Sequence, residues 1–254
     1  MGVPDSATQA NYDLRLEWGL AGVRALRGTS RAVVIVDVLS FSTAVDIAVG
    51  RGAAVMPYPW RDPTAAEFAA SHGALLAGKR SAGGYSLSPA SLQGLKPGDA
   101  LVLPSPNGAT LSLNAGPAVW TACLRNCRAV AAAVRRVGSP VAVIPAGEQW
   151  PDGELRPCTE DLLGAGAVLA HLSGPFSPEA EMAAAAFEHF RHRLEEALAG
   201  CTSGQELAAR GFQKDIAIAA EYAVSDVAPV SRGGRFVADL TSAPQPPGGL
   251  WHPG

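Results

Sequence analysis

The stretch Ala32-Val-Val-Ile-Val36-Asp37-Val-Leu-Ser40-Phe-Ser42-Thr43-Ala-Val-Asp-Ile-Ala-Val49 decides how this chain is built. Its first five residues form a short, unbroken and mostly β-branched run, the pattern of a strand buried on both faces in a parallel sheet. From Ser42 to Val49 the periodicity becomes helical, and Gly50 and Gly52 close it. A strand, a tight loop and a helix in that order predict an α/β fold.

The alternation continues outward. Strands are predicted at 53–56, 74–77, 100–103, 119–122 and 141–144, with an edge strand where Leu14, Leu16 and Trp18 alternate with Arg15 and Glu17. Helices are predicted from Asp62-Pro63 to His72, where Pro takes its permitted first position, briefly after Asn107-Gly108, and over 126–137. In the last third the patterns over 159–171, 177–199 and 214–222 are helical, and only 227–230 and 235–237 read as extended. Buried strands joined by helices predict a three-layer α/β/α domain with a mostly parallel or mixed sheet and a helical C-terminal segment. It is read as one domain over 1–254, with 173–212 as a sub-lobe and a loose Pro/Gly-rich tail at 242–254.

Composition excludes several classes of function. With 254 residues, 48% hydrophobic and 17% charged, the chain is not disordered. Its 20 Lys+Arg against 23 Asp+Glu give a net charge of −3, so no global positive field attracts nucleic acid or anionic lipid. An aromatic share of 6% argues against base stacking. No secretory signal or membrane span is expected, because the longest apolar runs fall far short of roughly 20 residues. Cys123, Cys127, Cys158 and Cys201 are too few and too scattered for a disulfide framework, so reduced thiols and a cytoplasmic protein are expected. Apolar edge elements are compatible with a homodimer.

Ligands of such sheets sit beyond the carboxyl ends of the strands. There Asp37, followed by Ser42 and Thr43 at a helix start, can hold a divalent cation and a phosphate, or the hydroxyls can simply cap the helix. Lys79 and Arg80 can neutralise oxyanions, or lie solvated. Asn107-Gly108 can present an amide and N–H groups to an oxyanion, or form an ordinary turn. Glu148, Glu160 and Asp161 read as a hard-cation cluster, or as acidic residues that complement a helix dipole. Cys158 is the one thiol near that cluster. No phosphate-binding P-loop, dinucleotide fingerprint or nucleophile elbow is present.

Taken in order, Asp37-Val-Leu-Ser-Phe-Ser-Thr43, Gly84-Tyr-Ser-Leu-Ser-Pro-Ala-Ser91, Pro106-Asn-Gly-Ala109, Gly147-Glu148, Glu160-Asp-Leu-Leu-Gly-Ala-Gly166 and Lys214-Asp215 with Asp226-Val-Ala-Pro229 resemble the 2-phosphosulfolactate phosphatase family from about residue 32 to 230. Ser40 stands where that family has Arg, and Lys79 where it has Glu. The resemblance implies Mg2+-dependent hydrolysis of phosphate monoesters of 2-hydroxycarboxylic acids. It implies Mg2+ on Asp37, Glu160 and Asp161, and phosphate against Ser40, Ser42, Thr43, Asn107 and Gly108. Lys79 and Arg80 would meet the substrate's other anionic group, and Glu148 or Asp215 would act as base. The expected partner is thus a small phosphorylated hydroxy acid, with a non-catalytic phosphometabolite-binding protein or a phosphocysteine at Cys158 as the alternatives.

Overall fold

The computed structural model describes residues 4–239, and the tail expected at 242–254 lies outside them. Along the chain run β1 (Leu14–Leu16), α1 (Gly19–Leu26), β2 (Ala32–Val36), α2 (Phe41–Gly50), β3 (Ala54–Tyr58), α3 (Pro63–Ser71), β4 (Leu75–Leu76), β5 (Ala100–Pro104), α4 (Gly108–Asn114), β6 (Val119–Ala122), α5 (Cys127–Val137) and β7 (Val141–Pro145). A small hairpin, β8 (Glu148–Gln149) and β9 (Leu155–Arg156), follows. Then come α6 (Thr159–Leu169), α7 (Pro178–Phe190), α8 (Leu194–Gly200), α9 (Thr202–Ala209), α10 (Gln213–Ala220), β10 (Pro229–Arg232) and β11 (Arg235–Ala238).

The main sheet has the order β1-β7-β2-β6-β10-β11-β3-β5-β4. Every residue of β2 is buried, and its alternate side chains enter different cores. Ala32, Val34 and Val36 pack with Val130, Val134, Val168 and Phe187 from α5, α6 and α7. Val33 and Ile35 pack with Val23, Val45, Ala48 and Leu111 from α1, α2 and α4. The fold is therefore α/β in three layers, as the alternation of apolar runs and helices predicts.

Two parallel blocks, β1-β7-β2-β6 and β3-β5-β4, flank the β10–β11 hairpin, which is antiparallel to both neighbours. Three antiparallel pairings in a row give the blocks opposite senses. Between β2 and β5, however, the ordinary inter-strand twist of roughly 20–25° per step accumulates to about 100–125°. The carboxyl ends of β2 and β7 are thereby swung toward those of β3 and β5, and one crevice receives loops from both blocks.

The cap expected at Asp62-Pro63 forms: the Asp62 carboxylate accepts the Thr64 N–H at 3.0 Å. The structure adds a second of the same kind, where Ser177 Oγ accepts the Ala180 N–H at 3.2 Å ahead of Pro178 as the first helical residue. The single helix expected over 177–199 is instead two, broken at 191–193 so that Leu194 and Leu198 turn into the core. The helix α9 has no sequence signature because its cap is a thiol: Cys201 Sγ accepts the Gly204 N–H at 3.4 Å.

Glycines set how closely α6 can pack. A Cβ on Gly166 would lie 2.0 Å from the Ala183 carbonyl oxygen of α7, and one on Gly164 2.6 Å from Val38. We expect Gly166→Ala to push α6 from α7 and to lower stability by about 1–3 kcal/mol, the usual cost of overpacking. Chemical denaturation would show this as a lower midpoint with an unchanged slope.

Candidate active site

The crevice at the strand ends has a volume of about 180 Å³ and is lined by Asp37, Leu39, Ser40, Arg61, Arg80, Leu87, Ser105, Pro106, Asn107, Glu148, Ser203, Glu206, Leu207 and Arg210. Two acceptors from the first block, Asp37 after β2 and Glu148 after β7, thus face cations from the second block and from the helical segment.

Asp37 is almost fully buried. Its Oδ1 accepts the Phe41 N–H at 3.0 Å and its Oδ2 accepts the Gly108 N–H at 2.9 Å, which ties the loops after β2 and β5 together. Gly108 is required there: a Cβ would stand 2.7 Å from Asp37 Oδ2 and 2.4 Å from the Phe41 ring. Burial pushes the Asp37 carboxyl up to about 6; the Phe41 and Gly108 N–H groups oppose this, and the charges of Glu148 and Glu160 add to it.

Arg80 is the best anchored cation. Its Nη2 donates to Ser40 Oγ at 2.6 Å and to the Leu87 carbonyl at 3.2 Å. Its Nε stands 3.3 Å from Asp215 Oδ2, an ion pair off the line of a hydrogen bond. Asp215 is buried and in turn accepts the Ser88 hydroxyl at 2.5 Å, and the guanidinium lies 5.5 Å from the centre of the Phe212 ring. Burial lowers the Arg80 pKa, Asp215 raises it, and Arg61 lowers it again, so a second guanidinium is within electrostatic reach.

The structure brings Asp37, Ser40, Arg80, Asn107 and Glu148 together on the crevice wall. The other expected site residues do not line the crevice, although Ser42, Gly108, Glu160 and Asp161 stand close behind Asp37. Lys79 is exposed and does not line the crevice. Ser42 and Thr43 are fully buried, and their hydroxyls are held inside the fold: Ser42 Oγ accepts the Asp37 N–H at 2.9 Å and meets Thr121 Oγ1 at 2.7 Å, while Thr43 Oγ1 donates to the Val38 carbonyl at 2.7 Å. The Gly108 N–H is occupied by Asp37. Asp161 accepts the Val38 N–H at 2.7 Å and the Gly147 N–H at 2.8 Å, which joins the loops after β2 and β7. Glu160 accepts the Cys201 thiol at 3.2 Å. Asp215 stands behind Arg80 rather than at the crevice surface.

Arg61, Glu206 and Arg210 complete the crevice without having been anticipated. Arg61 follows the end of β3, so the strand-end rule that selects Arg80 would also have selected it. Arg210 and Glu206 come from α9, whose docking over the sheet has no local sequence signal.

Among the described residues, no group of three or more His, Cys, Asp or Glu is arranged to hold a metal ion. Mg2+ that shares its coordination sphere with substrate phosphate and water needs only one or two protein carboxylates. Asp37 fits that requirement: each of its oxygens takes one N–H and retains a further acceptor position, neither is hydrogen-bonded to a cation, and the charges of Glu148 and Glu160 stand nearby. Cys158 is buried and does not line the crevice, and burial with the neighbouring Glu160 and Asp161 charges pushes its thiol up. Cys158→Ser is therefore expected to retain full catalytic activity, measured as initial rates beside the unaltered chain.

Comparison with known proteins places these observations in a context. The sequence model of the family described as 2-phosphosulpholactate phosphatase matches residues 23–234. A protein named 2-phosphosulfolactate phosphatase from Methanothermobacter thermautotrophicus is 30% identical over 209 residues, or 80% of this chain and 88% of its own. One from Carboxydothermus hydrogenoformans, named a probable 2-phosphosulfolactate phosphatase, is 32% identical over 211 residues, or 78% of this chain and 85% of its own.

Proposed function

This chain belongs to the 2-phosphosulfolactate phosphatase family, a family of phosphoric monoester hydrolases, and from that premise we propose that it performs Mg2+-dependent hydrolysis of the phosphate ester of a 2-hydroxycarboxylic acid, with 2-phosphosulfolactate as the reference substrate. One observation carries the reading: a single crevice sets Arg61, Arg80 and Arg210 against Asp37, Asn107 and Glu148. A phosphosulfolactate bears a phosphate, a carboxylate and a sulfonate, three anionic groups for three guanidiniums.

In this reading Arg80, whose fork is held by Ser40, Leu87 and Asp215, binds the phosphoryl oxygens and is in place before substrate arrives. The Asn107 side chain lies on the same wall and donates to a phosphoryl oxygen. Arg61 and Arg210, both exposed, take the carboxylate and sulfonate. Asp37 would hold Mg2+, which when bound neutralises charge on the phosphoryl oxygens. The Glu148 carboxylate makes no hydrogen bond or ion pair among the described residues, so it is free to orient a water molecule and take its proton as the water attacks phosphorus; the P–O bond to the hydroxy acid breaks, and the proton passes on to the departing alkoxide oxygen, which leaves as the 2-hydroxy acid. Asp215 has no access to that water and serves as a positioning residue for Arg80. The bound substrate makes the reacting water a neighbour rather than a solute, and that proximity supplies part of the rate.

Phosphate release from 2-phosphosulfolactate and 2-phospholactate, with Mg2+ and after chelation, tests this. We expect turnover of both that chelation abolishes and added Mg2+ restores. Thermal stabilisation by the esters without phosphate release from either would replace the enzyme with a phosphometabolite-binding protein.

A further inference from the structure

A second chamber, of about 290 Å³, shares Pro106, Asn107 and Glu148 with the reaction crevice. Beyond that common wall it is lined by Trp18 and Leu20 at the start of α1, Leu111 of α4 and Leu155 of the β8–β9 hairpin. None of its lining residues is Lys, Arg or His, and its one charge is the Glu148 carboxylate at the junction. The two spaces thus differ in chemistry: three guanidiniums line one, while the other has no cation and is mainly apolar, with Thr110 and Gln149 as its neutral polar residues beyond the shared wall.

We propose that this chamber is a substrate subsite for an apolar substituent on the carbon next to the phosphorylated one, and that the chain prefers phosphate esters of 2-hydroxy acids bearing an alkyl or aryl side chain. The assignment rests on the phosphatase reading above, and two features support it. The chamber joins the crevice at Asn107 and Glu148, beside the position that reading gives the phosphoryl group, so a substituent of the hydroxy acid can turn into it while phosphate and carboxylate stay with the arginines. A sulfonate entering it would meet Glu148 and no cation, whereas an aryl group would meet Trp18, Leu20 and Leu155. Its size falls just below the range of ordinary small-molecule pockets, about 300–1,000 Å³, and leaves space for one ring or a short branched chain. Hydrophobic pockets discriminate by about tenfold or more for each methylene-sized group buried.

The test compares kcat/KM for the phosphate esters of lactate, 3-phenyllactate and 3-sulfolactate, in the unaltered chain and in Ala21→Trp. Ala21 is an exposed residue of α1 at the chamber lining, so a larger side chain there reduces the chamber without entering the protein core. The expected result is a phenyllactate ester hydrolysed at least tenfold more efficiently than the lactate ester, and a fall of tenfold or more in that ratio in Ala21→Trp. If lactate and sulfolactate esters turn over and the phenyl ester is no better, the subsite is disproved while the phosphatase reading stands. The same holds if Ala21→Trp leaves the ratio unchanged. If none of the three esters releases phosphate, both readings fail together.

Discussion

Arg80→Ala lowers kcat/KM toward phosphate esters by about a hundred- to a thousandfold, the range typical of removing a preorganised donor from an oxyanion site. Three fixed partners make the effect this large. Ser40 and the Leu87 carbonyl hold the Nη2 end of the fork and Asp215 holds Nε, so the guanidinium is oriented before substrate arrives, and its removal also leaves Asp215 as a buried charge without its cation. Arg80→Lys restores a positive charge but not the planar fork, and is expected to recover only a small part of the activity. Asp215→Asn separates chemistry from positioning: it keeps the volume and the bond from Ser88 but loses the ion pair, and is expected to raise KM more than it lowers kcat. Steady-state kinetics on the three variants checks all of this. A pure kcat loss in Asp215→Asn would return Asp215 to the role of base.

The second large effect is on stability. Asp161→Ala orphans two buried backbone N–H groups, those of Val38 and Gly147, at about 1–3 kcal/mol each. The expected loss of about 2–6 kcal/mol is a large share of a typical domain's 5–15 kcal/mol. Asp161→Asn leaves one carbonyl to accept and turns an NH2 toward the other N–H, so about half the loss remains. Its pH dependence has a definite sign. Burial, then the charges of Glu160 and Asp37, raise the Asp161 carboxyl well above the ordinary carboxylate range, so the native state binds more protons than the unfolded one as pH rises from about 4. The native aspartate's contribution is fully present below that pH and declines as pH rises above it, so the deficit of Asp161→Asn is greatest in acid and shrinks toward neutrality. Urea denaturation across that range, with chelator present, measures it.

These two residues also show what sequence could and could not reveal. The β2 run and the helix after it were legible because burial on both faces imposes apolar continuity, and helix packing imposes a period. Asp37, Asn107 and Glu148 were legible because ligands of such sheets gather beyond strand ends. Lys79 and Arg80 were not separable: they are adjacent in a turn, and only the partners of Arg80, 40 residues before and 135 after it, decide which one faces inward. Ser42, Thr43, Glu160 and Asp161 had the right chemistry for a phosphate and metal site, yet their partners are groups brought close by the tertiary fold: backbone amides and carbonyls for Ser42, Thr43 and Asp161, and the Cys201 thiol for Glu160. For Asp161 the Val38 amide lies 123 positions away, a distance over which no local pattern informs. Arg210 was invisible for a related reason, since α9 reaches the crevice through a thiol cap that no helix-start rule anticipates.

The most direct measurement is a crystal structure of the chain soaked with Mg2+ and inorganic phosphate, the product common to every substrate considered. Phosphate is expected in the crevice, hydrogen-bonded to Arg80 and Asn107, with Mg2+ against Asp37 and a water between Glu148 and phosphorus. Phosphate bound away from that crevice, or within it but against Lys79 with Arg80 still engaged only by Ser40 and Asp215, would contradict this placement.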